Sequence, residues 1–128
     1  MKRIISLLWV LTLLTGCDNS YQETNTYEET ETQAYHQYVD IKYRDDDVDI
    51  GSDNFEELDA SKSSFVRGAW YDDDNDYMVM NLDGIYYHYC GMTGSTWSSF
   101  KRADSFGSYY NKYIKSNYDC RYNYVPNY

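Results

Sequence analysis

Asp83-Gly84 is the dipeptide that most narrows what this chain can fold into. It separates two six-residue runs, Tyr77 to Leu82 and Ile85 to Cys90, both dominated by aromatic, β-branched and Met side chains. Both residues of a tight hairpin turn must take positive φ, so Asp-Gly between such runs is a strong hairpin signal. In the first run Met78, Met80 and Leu82 share one face while Tyr77, Val79 and Asn81 share the other, which predicts a half-buried strand. Upstream, Ser63 to Tyr71 is β-prone and is interrupted by Gly68, where a bulge is expected. The acidic run Asp72 to Asp76 then reads as a loop. Its acids imitate part of a calcium loop, but Tyr77 stands where that loop needs Gly, so turn chemistry is the preferred reading.

After the hairpin the period changes from two to helical. Ser95 is the expected N-cap of a helix whose inward positions are Thr96, Trp97, Phe100 and Ala103. Asp104-Ser105 ends it and caps a second helix with the stripe Phe106, Tyr109, Tyr110, Tyr113 and Ile114. The expected fold is α+β: a small three-stranded antiparallel sheet with two short helices packed on one face, in two layers.

The segments ahead of this unit are of another kind. Met1 to Gly16 has a basic start, Lys2-Arg3, an apolar run from Ile4 to Leu14, and small residues before Cys17. That run is shorter than the ~20 residues a spanning helix needs, so it reads as an export signal. Leu14-Thr15-Gly16-Cys17 resembles the bacterial lipoprotein lipobox, with cleavage between Gly16 and Cys17 and lipid on the Cys17 thiol. In a two-membrane envelope Asp18 would retain the product at the inner membrane.

Residues 17–62 are expected to form a mostly disordered, acidic stalk, since 18–62 hold 14 acids against 3 bases and few aliphatic side chains before Val39. Within it Tyr38 to Tyr43 alternates as an edge strand would, and Asp53 with Glu56 forms a capping-box pair that predicts one helical turn over 53–59. A cation on the acidic run is the less favoured alternative to a solvated spacer. The formal charge of −10 therefore resides mainly in the leader, and the folded unit is close to neutral. For the tail, 119–128, packing on the sheet and remaining loose are both open.

Several residues of the folded unit carry a family resemblance. Ser63-Ser64, Tyr71-Asp72, Met78, Met80, Leu82, Gly84-x-x-Tyr87-x-Tyr89 and Ala103-x-Ser105-x-Gly107-x-Tyr109-Tyr110-Asn111-x-x-Ile114 together resemble the KTSC domain. That family is named for the C-terminal extension of some lysyl-tRNA synthetases and also occurs as small stand-alone bacterial and phage proteins. The resemblance spans 63–118 and departs from the family at Met92-Thr93, where Val-Pro is usual, and at Cys90. It implies no established activity, although a nucleic-acid role has been suggested for the family.

Two chemistries are in view on the third strand. Tyr87 and Tyr89 project from one face and would form a base-stacking platform beside Lys101, Arg102, Lys112 and Lys115. Burial of both rings under the helices is preferred, because the aromatic strand must be covered by something. On the opposite face His88 and Cys90 allow a Cys–His nucleophile, but no third, orienting group is evident. His36 falls in the stalk, so no metal centre or other cofactor is expected. With Cys17 acylated, Cys90 and Cys120 remain, and an oxidising compartment favours a disulfide between them.

The sequence thus points to a non-enzymatic lipoprotein held to the cell membrane through Cys17, its Tyr-rich module facing the periplasm or the outside. An unidentified protein partner is expected, in the manner of an immunity or superinfection-exclusion factor. The alternative is a nucleic-acid binder using the basic helices, which the acidic charge and the export signal disfavour. Oligomeric state is left open.

Overall fold

The computed structural model describes residues 35–128. The signal segment, Gly16, Cys17 and the first part of the stalk lie outside the described residues.

The Asp83-Gly84 turn has φ of 51° and 94°, the left-handed pair a two-residue hairpin requires. It joins β5 (Tyr77–Leu82) to β6 (Ile85–Cys90) in unbroken antiparallel register from Tyr77 opposite Cys90 to Leu82 opposite Ile85. On the other side of β5 lies β4 (Val66–Asp72), whose register slips between Val66 and Gly68, the bulge expected there. In the loop that follows, the Asp72 carboxylate accepts from Asp74 N at 3.0 Å, Asn75 N at 3.3 Å and Asn75 Nδ2 at 2.7 Å. Among the described residues Asp72 is the one buried acid, and the turn is what it serves.

The sheet has a fourth strand, which corrects the three-stranded expectation. β3 (Glu56–Leu58) pairs antiparallel with β4, Glu56 opposite Tyr71, and the sheet order is β3-β4-β5-β6. The helical turn expected over 53–59 is absent: the bare edge of β4 offers a ladder of backbone partners, and this tertiary pairing overrides a local capping signature. Two further strands, β1 (Tyr38–Val39) and β2 (Val48–Asp49), pair as a ribbon. The disordered stalk expected as far as residue 62 therefore gives way to ordered chain from Tyr38 onward. His36, assigned to that stalk, is itself 2.5 Å from Asp49 through Nδ1.

Two hydrophobic cores follow from this arrangement, one on each face of the sheet. On one face Ala69, Tyr71, Met78, Met80, Leu82 and Tyr89 meet the helices through Trp97, Phe100, Tyr110 and Ile114. On the other, Trp70, Tyr77, Val79 and Cys90 are covered by Val39, Ile41, Val48 and Ile50 of the ribbon. β5 is thus buried on both faces, not half-buried, and the fold has three layers where two were expected. Each fully buried aliphatic or aromatic side chain contributes roughly 1.5–3 kcal/mol relative to exposure, so the ribbon is a structural component of the domain.

α1 (Gly94–Lys101) starts two residues earlier than expected, with Thr93 and not Ser95 as its N-cap. The Thr93 hydroxyl bonds to those of Ser95 at 2.9 Å and Thr96 at 3.3 Å. α2 (Phe106–Tyr109) is capped by Ser105, whose hydroxyl accepts from Ser108 N, and it continues as a π-helical turn over Tyr110–Ile114. The wider turn keeps Tyr110 and Ile114 inward and rotates Tyr113 outward to 44% exposure, correcting its place in the inward stripe.

The tail is packed. Tyr128 packs at a tilt against Phe55 and Tyr77 at 5.0 and 5.4 Å between ring centres and donates to Asp72 at 2.7 Å, while Arg44 donates to the Pro126 carbonyl. Cys120 brings its sulfur to 2.08 Å from that of Cys90, disulfide distance, across a sequence separation of 30. Among the described residues no helix is long and apolar enough to cross a membrane.

Candidate binding surface

β6 alternates its side chains between the two cores, which decides what each can do. Tyr89 is 7% exposed, lies edge-on to Tyr110 and donates to its hydroxyl at 2.9 Å. Burial, with the Tyr110 hydroxyl beside it, pushes the phenol far above its ordinary range, so Tyr89 stays neutral and internal. Tyr87 is half-buried against the same core and carries Lys42 at 5.4 Å from its ring centre. The same ammonium lies 5.2 Å from the ring of Tyr43, and the two phenols raise its pKa, Tyr43 the more strongly. The structure thus replaces the Tyr87–Tyr89 platform with one core ring and one half-exposed ring in a cation–π cluster. Lys42 was not visible as a site residue in the sequence, because its partner Tyr87 lies on a distant strand.

The four helical cations also divide. Lys101 pairs with Glu56, whose other oxygen accepts from Trp97 Nε1 at 2.6 Å; these bonds hold the Glu56 carboxyl below its ordinary pKa, the one from Lys101 first. Lys101 therefore ties α1 to β3. Arg102, Lys112 and Lys115 are exposed. Lys112 lies 4.9 Å from the ring centre of Tyr113, and Tyr113 in turn packs at a tilt against Tyr109, ring centres 4.7 Å apart. On this helical face an exposed ring, Tyr113, and a cation coincide.

On the far face of β6, His88 Nδ1 lies 3.2 Å from the Tyr77 hydroxyl. Burial, then the nearby Arg44 guanidinium, lowers the His88 pKa and favours the neutral ring. Cys90 is fully buried with its sulfur at bonding distance from Cys120, so this form offers no thiolate nucleophile there.

Two clefts open on the helical side. One, of about 370 Å³, is lined by Asp53, Phe55, Glu56, Asp73, Trp97 and Lys101 among others. The second, of about 270 Å³, is formed by Lys62 to Phe65 and Ala103 to Gly107. It brings Ser63-Ser64 together with Ala103-x-Ser105-x-Gly107, two motif pieces some forty residues apart in the chain. Two of these hydroxyls already have backbone partners: Ser63 Oγ accepts from Val66 N at 3.0 Å, and Ser105 caps α2. The shared motif therefore closes a loop and starts a helix. Residues 51–118 match the family model of the KTSC domain. The chain belongs to the KTSC family. The matched span begins before β3, so the KTSC domain includes the fourth strand that the resemblance over 63–118 left out. The β1–β2 ribbon and the tail lie outside it and cover the second face of its sheet. Searches of curated proteins and of solved structures gave no match.

Proposed function

We propose that this protein is an exported lipoprotein whose KTSC domain, sealed by the ribbon and tail, serves as a binding module at a membrane surface. The observation that carries the reading is the division of labour among three cysteines. Cys17 follows the lipobox-like Leu14-Thr15-Gly16, and the other two lie at disulfide distance from each other. Disulfides persist in oxidising compartments, and a lipid signal sends a chain to one, so the two features support each other. Acyl chains on Cys17 contribute ~0.8 kcal/mol per buried methylene, enough together for lasting attachment. The surplus of acid ahead of the domain suits a basic protein partner, as an immunity or superinfection-exclusion factor would meet. Fractionation of cells labelled with radioactive palmitate tests this. The wild-type protein is expected in the membrane fraction carrying label, and Cys17→Ser is expected unlabelled and released; unchanged membrane retention of Cys17→Ser overturns the reading.

A second reading, nucleic-acid binding, has one observation in its favour: Tyr113 is exposed and Lys112 lies over its ring. Single-stranded DNA should then bind with an affinity that falls steeply with salt and is lost in Lys112→Glu with Lys115→Glu. No binding at low salt removes it.

A further inference from the structure

We propose that His88, Cys90 and Cys120 form a redox-gated site for a borderline-soft divalent cation, best matched by Zn²⁺, closed while the sulfurs are bonded together and open once they are reduced. One nitrogen and two sulfur donors lie within 4.8 Å of one another. A tetrahedral zinc ion, with bonds of ~2.3 Å to sulfur and ~2.0 Å to nitrogen, sets its donors about 3.5–3.8 Å apart. Once the bond is reduced, the sulfurs need to move apart to that spacing. A change of cysteine rotamer supplies that.

Contacts that do not involve the sulfurs hold the cysteines together on both sides of the bridge. Cys90 N donates to the Tyr118 carbonyl at 2.9 Å, and the Tyr118 hydroxyl lies 3.0 Å from that of Thr96. Beyond Cys120, Arg44 grips the Pro126 carbonyl at 2.9 Å and Tyr128 bonds to Asp72. Breaking the S–S bond therefore leaves two thiols beside an imidazole instead of releasing the tail. Cys90 is fully buried and Cys120 partly so, which makes the Cys120 side the way in for a reductant. The Tyr77 hydroxyl at His88 Nδ1 is an outer partner of the kind ligating histidines characteristically have, and it holds the ring in place. Asp119 is committed to Arg121, whose Nε lies 3.0 and 2.9 Å from its two oxygens, so the fourth position falls to water.

The chemistry balances with a dithiol as reductant. It delivers two electrons and two protons to the S–S bond, giving two thiols, and closes to its own disulfide. Zn²⁺ then displaces both thiol protons to the medium and takes the lone pair of neutral His88. In reverse, a small-molecule disulfide accepts the two electrons, the Cys90–Cys120 bond forms and the ion leaves. This inference stands independently of the lipoprotein reading.

The test uses full-length protein carrying Cys17→Ser, so that two cysteines remain, reduced anaerobically with a phosphine and titrated with Co²⁺. Binding is expected at one ion per chain, with thiolate-to-cobalt charge-transfer absorption and tetrahedral ligand-field bands that Zn²⁺ abolishes. The oxidised protein should show neither, and His88→Ala should bind at least ~10-fold more weakly. Absence of these bands in the reduced protein, or unchanged binding in His88→Ala, overturns the proposal. Should reduction alone unfold the chain by circular dichroism, Zn²⁺ must restore the folded spectrum with His88 present and not in His88→Ala; failure to do so also overturns it.

Discussion

His88 shows how a single position can carry a signal that the sequence states only in part. Its alternation with Tyr87 and Tyr89 is legible, and so is its shared face with Cys90; the guanidinium of Arg44 that opposes its protonation is not, because it arrives from the ribbon. A ring whose pKa is lowered by folding binds its proton more tightly in the unfolded chain. Its contribution to stability is then fully present above the unfolded value, about 6.5, and is lost as the pH falls from there through the lowered folded value. Thermal midpoints measured across that acidic window should drop more steeply for the wild type than for His88→Gln; parallel curves would show that His88 is not the group responsible. Among the binding residues, the same non-locality hid Lys42 and separated Tyr89 from Tyr87: spacing of two along a strand fixes a shared face but not how far each ring is covered.

At the scale of elements, the π-helical turn over Tyr110–Ile114 makes a sharp contrast between neighbours. Ile114 is fully buried and Tyr113 is not, although a regular helix was expected to point both inward. Ile114→Ala should cost about 2–5 kcal/mol in urea unfolding, as buried Ile truncations do. Tyr113→Ala should cost about 1 kcal/mol or less, the worth of its ring contact with Tyr109. Equal costs would mean the second helix winds regularly. The elements read correctly from sequence are those whose cause is local: the Asp83-Gly84 hairpin, the Gly68 bulge and the Ser105 cap. β1 falls within the edge strand expected over Tyr38 to Tyr43, whereas β2 and β3 were missed because their runs are two and three residues long and rich in acids. One clue was present. Tyr77-Met78-Val79-Met80 is apolar on both faces, the mark of a strand covered on both sides, and it required a second layer that only the supposed stalk and tail could supply.

For the whole molecule, the bridge between Cys90 and Cys120 joins β6 to the tail and limits how far the unfolded chain can expand. Closing a loop of this length stabilises by on the order of 3–4 kcal/mol in the chain-entropy picture. Reduction should therefore lower the urea midpoint while leaving the folded spectrum intact, given the hydrogen bonds that hold the tail. Intact mass after alkylation, on protein with Cys17→Ser, should show no added label without reductant and two labels with it. Two labels without reductant would mean that the bridge does not form.

The ribbon carries a consequence for how such domains are delimited. The family's span, 51–118, keeps Phe55 but leaves out the ribbon and the tail that cover Trp70, Tyr77 and Val79 on one face of the sheet. Where homology stops and where a chain becomes self-sufficient are different borders in this protein. The borrowed flanks, not the shared centre, give this version of the domain an exterior of its own.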